Sequence, residues 1–151
     1  MQKLKKRAPK KGITLIEIVM VMSILSILFL FSMPILFSFV TKNNLVLGTN
    51  TVVRILNQAK EFSISQKKDI PWGVHLEGNT LTLFGGNTFS TRDVSLDENT
   101  ILSKDVNLNG PQDIVFQKLY GIPSQTGTIT MRDTAGETRM ITINAEGLVD
   151  Y

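Results

Sequence analysis

Lys10-Lys11-Gly12-Ile13-Thr14-Leu15-Ile16-Glu17-Ile18-Val19-Met20-Val21 is the stretch on which the reading of the whole chain turns. Two cations and a glycine give way abruptly to apolar residues. From Ile13 to Val40 there are 28 residues with Glu17 as their sole charge, and the 23 from Ile18 onward carry none. A helix rises about 1.5 Å per residue, so roughly 20 residues cross a hydrocarbon core of about 30 Å. The run is therefore predicted to span a bilayer. Lys3, Lys5, Lys6, Arg7, Lys10 and Lys11 precede it with no acid among them, and only Lys42 follows in the next dozen residues. That asymmetry predicts a cytoplasmic amino terminus, with the bulk of the chain on the far side of the membrane.

The remaining composition narrows the chemistry. With 151 residues the chain has room for one small domain and an appendage. Its 42% apolar and 19% charged residues exclude a disordered or collagen-like class. Without cysteine there is no disulfide, thiolate metal site or thiol nucleophile, and the lone His75 leaves zinc without a second nitrogen ligand. The net charge of +3 resides in the leader: from Ile13 onward the chain has 10 basic and 13 acidic residues. An ordinary secretory signal is the simplest competitor, but its apolar region is about 7 to 15 residues long and ends in a small-x-small cleavage site. Here Thr41-Lys42-Asn43-Asn44 offers none, and the small residue at a junction is Gly12, before the apolar run.

That junction closely resembles the prepilin motif of type IV pilins and type II secretion pseudopilins. The resemblance implies cleavage by prepilin peptidase between Gly12 and Ile13, N-methylation of Ile13, and a glutamate, Glu17, as fifth residue of the mature chain. Thr14-Leu15 match the usual threonine and leucine, and Ile13 stands where phenylalanine or methionine is commoner. Pro34 falls where many members have a helix-breaking proline, and a proline removes one helical hydrogen bond and kinks the helix. A carboxylate inside a membrane segment costs roughly 2.5 to 3.5 kcal/mol on insertion scales, so Glu17 calls for a partner. The resemblance supplies one, the new α-amine of a neighbouring subunit; the bland alternative is a glutamate held by the first-turn dipole. Ser23, Ser26, Ser32 and Ser38 read as hydroxyls bonded to preceding carbonyls.

Beyond Val40 the pattern becomes sided. Val52, Ile55, Leu56, Ala59 and Phe62 recur every three or four residues between Arg54, Asn57, Lys60 and Glu61, predicting an amphipathic helix over 45–68. The expected spine runs from about Ile13 to about Gln66, interrupted near Pro34 and Gly48. Lys67-Lys68 suit its carboxyl end and Ile70-Pro71 stop it. Residues 72–151 read as β-structure: Trp72–Glu77 and Thr80–Phe84 around Gly78-Asn79, weaker strands over Thr100–Leu108 and Asp113–Gln117, a clear pair at Thr128–Arg132 and Thr138–Asn144, and a short last strand after Gly147. Leu81 and Leu83 alternate with threonines as in a half-buried strand, and Gly85–Glu98 reads as a surface excursion. The expected fold class is α+β, a long amino-terminal helix packed on a small antiparallel β-sheet head. The division is leader 1–12, apolar helix 13–41 and head 42–151. This organisation resembles the minor pseudopilin H and fimbrial T-like group.

No catalytic, cofactor or metal residues are expected. His75 has Ser and Asp neighbours but no nucleophile elbow, and, three residues from Trp72, it lies on the opposite strand face, so that one of the two is expected to be exposed. Asp93, Asp97, Glu98 and Asp105 lack the spacing of a calcium loop and read as solvated charges. Residues 69–151 have 5 basic and 11 acidic residues, which argues against DNA as a partner. The expected function is a structural subunit of a pilus or pseudopilus in the cytoplasmic membrane. Its expected partners are prepilin peptidase, other pilin or pseudopilin subunits, and an assembly platform with its ATPase. The alternatives are a DNA-uptake pilin and an uncleaved single-pass receptor.

Overall fold

The computed structural model describes residues 12–151, except the side chains of 31–39 and 41. Two compact units part between Phe37 and Ser38. A helix, α1 (Leu15–Ile64), supplies the helical residues of both. The leader before Gly12 lies outside the described residues, and so does the side chain of Pro34, where a kink is expected.

In the second unit α1 is followed by eight strands in two antiparallel sheets. The first has the order β3 (Glu98–Ile101), β2 (Thr80–Gly85), β1 (Trp72–Glu77), β5 (Asp113–Phe116). The second has the order β4 (Val106–Asn109), β6 (Gly127–Asp133), β7 (Thr138–Ile143), β8 (Val149–Asp150). The α+β class holds, with the antiparallel head built as two sheets. The single strand expected over Thr100–Leu108 is two, and β3 and β4 join different sheets because the chain turns at Ser103–Asp105. One core unites helix and sheets. Period-2 alternation points Trp72, Val74, Leu76, Ile114 and Phe116 of the first sheet, and Ile129, Met131, Ile141 and Ile143 of the second, toward Val52, Ile55, Leu56 and Ala59 of α1.

Several expectations need correction. Gly48 does not interrupt the helix; it is buried within it, and a Cβ there would stand 3.1 Å from Met131 Cε. The missing side chain admits β6 against the helix at that point. The helix ends at Ile64, before Lys67 and Lys68, because Gln66 turns left-handed at φ 55°. Lys67 does not serve a helix end: its ammonium lies 3.4 Å from the centre of the Phe62 ring and 5.0 Å from that of Trp72, a cation–π arrangement. Trp72 is fixed by three contacts. Its backbone N–H donates to Ser63 Oγ at 2.8 Å, its indole N–H donates to the Lys67 carbonyl at 3.0 Å, and Phe62 meets it edge-on at 5.0 Å.

β2 is covered on both faces, not half-buried: Leu81, Thr82, Leu83 and Phe84 are all buried. Leu81 and Leu83 face the core; Phe84 faces the other way, under the segment from Gly86 to Asp97. That segment is no loose excursion. Its two short 3-10 turns, Phe89–Thr91 and Val94–Leu96, close the outer face of the first sheet. Phe89 stacks on His75 with ring centres 3.6 Å apart and meets Phe84 edge-on at 5.4 Å. Trp72 and His75 do lie on opposite faces, but neither is exposed, since α1 covers one and Phe89 the other.

Candidate assembly and processing segment

The amino-terminal unit takes its form from a short polar sequence. Gly12, Ile13 and Thr14 are non-helical, and α1 begins at Leu15. Thr14 is its cap: the Glu17 N–H donates to the Thr14 carbonyl at 3.1 Å and approaches the Thr14 hydroxyl at 3.4 Å, and the Ile18 N–H donates to the same carbonyl at 3.3 Å. The Thr14-Leu15-Ile16-Glu17 spacing is that of a capping box, a signal present in the sequence but not used in its reading. Glu17 thus falls in the first turn, where the positive end of the helix dipole favours a carboxylate. Among the described residues that carboxylate has no hydrogen-bond or ion-pair partner.

Above the cap the helix has no polar side. Leu15, Ile16, Ile18, Val19, Met20, Val21, Met22, Ile24, Leu25, Ile27, Leu28, Phe29 and Leu30 are all exposed, from 50% at Val21 to 81% at Leu15. A helix apolar all round is stable only inside lipid or among other helices. Ser23 and Ser26 do not change its character, since each hydroxyl donates to the carbonyl four residues back, at 2.7 Å, in Val19 and Met22. Beside the cap lies a shallow groove of about 280 Å³ lined by Ile13, Glu17, Ile18, Val21, Met22 and Leu25, so the acid opens into an otherwise apolar concavity. Among the described residues no helix is long and apolar enough to cross a membrane. The described helical side chains of this run stop at Leu30, 16 residues from Leu15, which is about 24 Å of helix.

The structure separates the other residues singled out in the sequence. His75 Nδ1 lies 2.6 Å from Asp113 Oδ1, with Glu77 Oε2 at 4.0 Å from Nε2. Sequence reading did not find this pairing, because Asp113 reaches His75 only through the β1–β5 register. The opposite side of Phe89 carries the Arg92 guanidinium at 3.6 Å, and Arg92 Nε donates to Asp97 at 2.8 Å. Asp97 is therefore a half-buried pair member, not a solvated charge. Asp93 accepts from the Ser95 hydroxyl at 2.7 Å and the Ser95 N–H at 3.0 Å, and these bonds hold its carboxyl below the ordinary value of 3.8. Glu98 accepts from Gln58, and Asp105 accepts from Asn44 and Ser103. Each of these four acids thus has its own structural partner.

Residues 7–33 match the family model described as the prokaryotic N-terminal methylation motif. The solved structure of the minor pseudopilin EpsH from the Type 2 Secretion System of Vibrio cholerae has a similar fold, with a TM-score of 0.51 at 15% identity over 67% of this chain and 90% of that one. No curated protein matches. The chain thus combines a methylation motif over residues 7–33 with a head whose fold is like that of a minor pseudopilin.

Proposed function

We propose that the chain is a structural, non-enzymatic subunit of a pseudopilus or type IV pilus. It is made as a prepilin, cleaved by prepilin peptidase after Gly12 and methylated on the new amino terminus of Ile13. It waits in the cytoplasmic membrane as a single-pass protein with its head outside, then passes into the filament through its apolar helix. The observation that carries this reading is the apolar surface of the helix: every described side chain from Ile13 to Leu30 is exposed. Moving that surface from lipid to neighbouring helices changes the hydrophobic energy little, so specificity must come from close packing and polar pairing.

Glu17 supplies the polar term. Before cleavage it sits in the first turn behind the Thr14 cap; afterwards the α-amine of a neighbouring subunit can meet it in the groove beside Ile13. A desolvated pair of this kind is sensitive to loss of either member, which makes it a register device. Similarity to a minor pseudopilin favours a secretion pseudopilus over a motility pilus, and a platform protein with its ATPase would drive extraction. Amino-terminal sequencing and intact mass of the membrane form test the reading. The expected chain begins at methylated Ile13; a chain still beginning at Met1 would leave a tethered receptor.

A further inference from the structure

The chain has one histidine, and the outer face of the first sheet fixes its ring. Phe89 lies flat on the imidazole, 7° from parallel, and leaves the side chain 13% exposed. Asp113, brought opposite by the β1–β5 register, lies 2.6 Å from Nδ1. A carboxylate only accepts, so Nδ1 carries the proton and donates it, and the neutral ring presents Nε2 as a lone pair. That lone pair faces Glu77 Oε2 at 4.0 Å, a gap too long for a hydrogen bond. Among the described residues no lysine or arginine pairs with the Glu77 carboxylate. The Arg92 guanidinium lies on the far side of Phe89, where its Nε donates to both oxygens of Asp97 at 3.1 and 2.8 Å. A ring nitrogen and a carboxylate thus face each other with no positive charge between them.

We infer that this pair is a site for a divalent transition-metal ion such as zinc, with His75 Nε2 and Glu77 as its ligands and Asp113 as the positioning residue behind the imidazole. Metal–nitrogen and metal–oxygen distances are about 2.0–2.1 and 2.0–2.2 Å, so their sum matches the present gap, and a tetrahedral ion would draw the two ligand atoms to about 3.4 Å. Rotation of Glu77, whose side chain is 83% exposed, supplies that movement while the stacked imidazole stays in place. A carboxylate on the other ring nitrogen is the usual support of a metal-binding histidine, since it fixes the tautomer and orientation and raises the basicity of the ligand. Period-2 alternation sets Glu77, two residues beyond His75, on the same face of β1. The sequence reading looked for a second nitrogen ligand, and here the second ligand is an oxygen. Among the described residues no three His, Cys, Asp or Glu side chains converge on one ion, so two protein ligands hold it and water completes its shell. Imidazole suits zinc, copper and nickel, whereas calcium and magnesium take oxygen ligands.

A single histidine makes the test specific, because one imidazole gives one pair of ring-nitrogen resonances. The full chain, carrying no histidine tag and freed of metal in detergent, is titrated with zinc chloride and followed by nitrogen NMR of the labelled imidazole and by calorimetry. The expected result is a saturable displacement of the Nε2 resonance with the proton kept on Nδ1, and no displacement by calcium chloride. In Asp113→Asn the two ring-nitrogen resonances should move toward each other before zinc is added, as the tautomers mix, and zinc affinity should fall about tenfold or more, the usual cost of losing an outer-shell partner. Glu77→Gln should weaken zinc at least as much, and because it alters an exposed side chain it separates lost ligation from lost structure. An Nε2 resonance unmoved at millimolar zinc overturns the site. Equal affinity in Glu77→Gln also overturns it, since the ion would then be held by a lone imidazole. Unchanged resonances and affinity in Asp113→Asn overturn the positioning role.

Discussion

Residues Leu15–Leu30 and Val52–Phe62 belong to one helix and obey different solvents. In the later segment, Val52, Ile55, Leu56 and Ala59 are buried while Arg54, Asn57 and Glu61 are exposed, so the chain itself supplies the cover. The earlier segment buries nothing and places apolar residues on every side. A sided helix is finished by intramolecular packing, whereas an unsided one is completed only by lipid or by other subunits. On the proposed function that difference matters, since the amino-terminal apolar surface would exchange one environment for another without unfolding the head.

The same substitution made in each segment should give opposite results. Leu56→Asp places an unpaired carboxylate in the core beside Trp72 and the sheets, and about 5 kcal/mol or more of destabilisation is expected, comparable to the whole stability of many domains. Denaturation of the full chain in detergent, followed through Trp72 fluorescence, should show no cooperative transition. Leu25→Asp should leave that transition unchanged while reducing membrane retention, at an insertion cost of roughly 2.5 to 3.5 kcal/mol. Similar head destabilisation by both would erase the contrast.

Glu17→Ala sharpens the comparison inside the first segment. The variant keeps Gly12, Ile13 and the Thr14 cap, so cleavage is expected to proceed normally. Incorporation into filaments should fall at least about tenfold, since the neighbouring α-amine then has no counterion in a desolvated site. Sheared-filament yield relative to processed membrane protein measures this, and unchanged incorporation would dismiss the pairing.

A smaller effect is expected on the outer face of the first sheet. Phe89→Ala removes the ring on which His75 and Arg92 stack and which meets Phe84 edge-on. The cost should be about 1 to 3 kcal/mol, with faster amide exchange over residues 86–97 and little change in β6 and β7. Uniform loosening of the whole head would mean that the segment is integral to the core.

The contrast between the two segments of α1 was legible in the residues because it is periodic. Three- and four-residue spacing revealed the sided segment, and its absence revealed the unsided one. Period-2 alternation with Gly78-Asn79 located β1 and β2, and Thr14-x-x-Glu17 would have located the helix cap. What escaped was set by distant contacts. Nothing near His75 announces Asp113 or Phe89, so the closure of the sheet's outer face could not be anticipated. The helix end was misplaced because Gln66, Lys68 and Asp69 adopt left-handed φ values of 55° to 60° without a glycine to signal it. The chain tolerates this where Lys118 pairs with Asp69 and Leu119 N–H donates to the Ser63 carbonyl at 3.1 Å.

The finest effect concerns Asp93, which caps the second turn of the Gly86–Asp97 segment. Its carboxyl is lowered chiefly by the hydroxyl of Ser95 and then by the Ser95 N–H, against a small opposing desolvation. Ser95→Ala removes the first bond and keeps the second, so the Asp93 titration followed by carboxyl NMR should move upward toward 3.8 without reaching it. The sign for stability follows from the lowered value: the contribution is present above the unfolded pKa and lost as pH falls through the folded one. Because the carboxylate is fully exposed, the acid limb of the unfolding curve should barely shift in Ser95→Ala, while the transition at neutral pH stays in place. A large shift would mean that the turn is held by this cap, and that Phe89 and Arg92 contribute less to closing the sheet than their stacking implies.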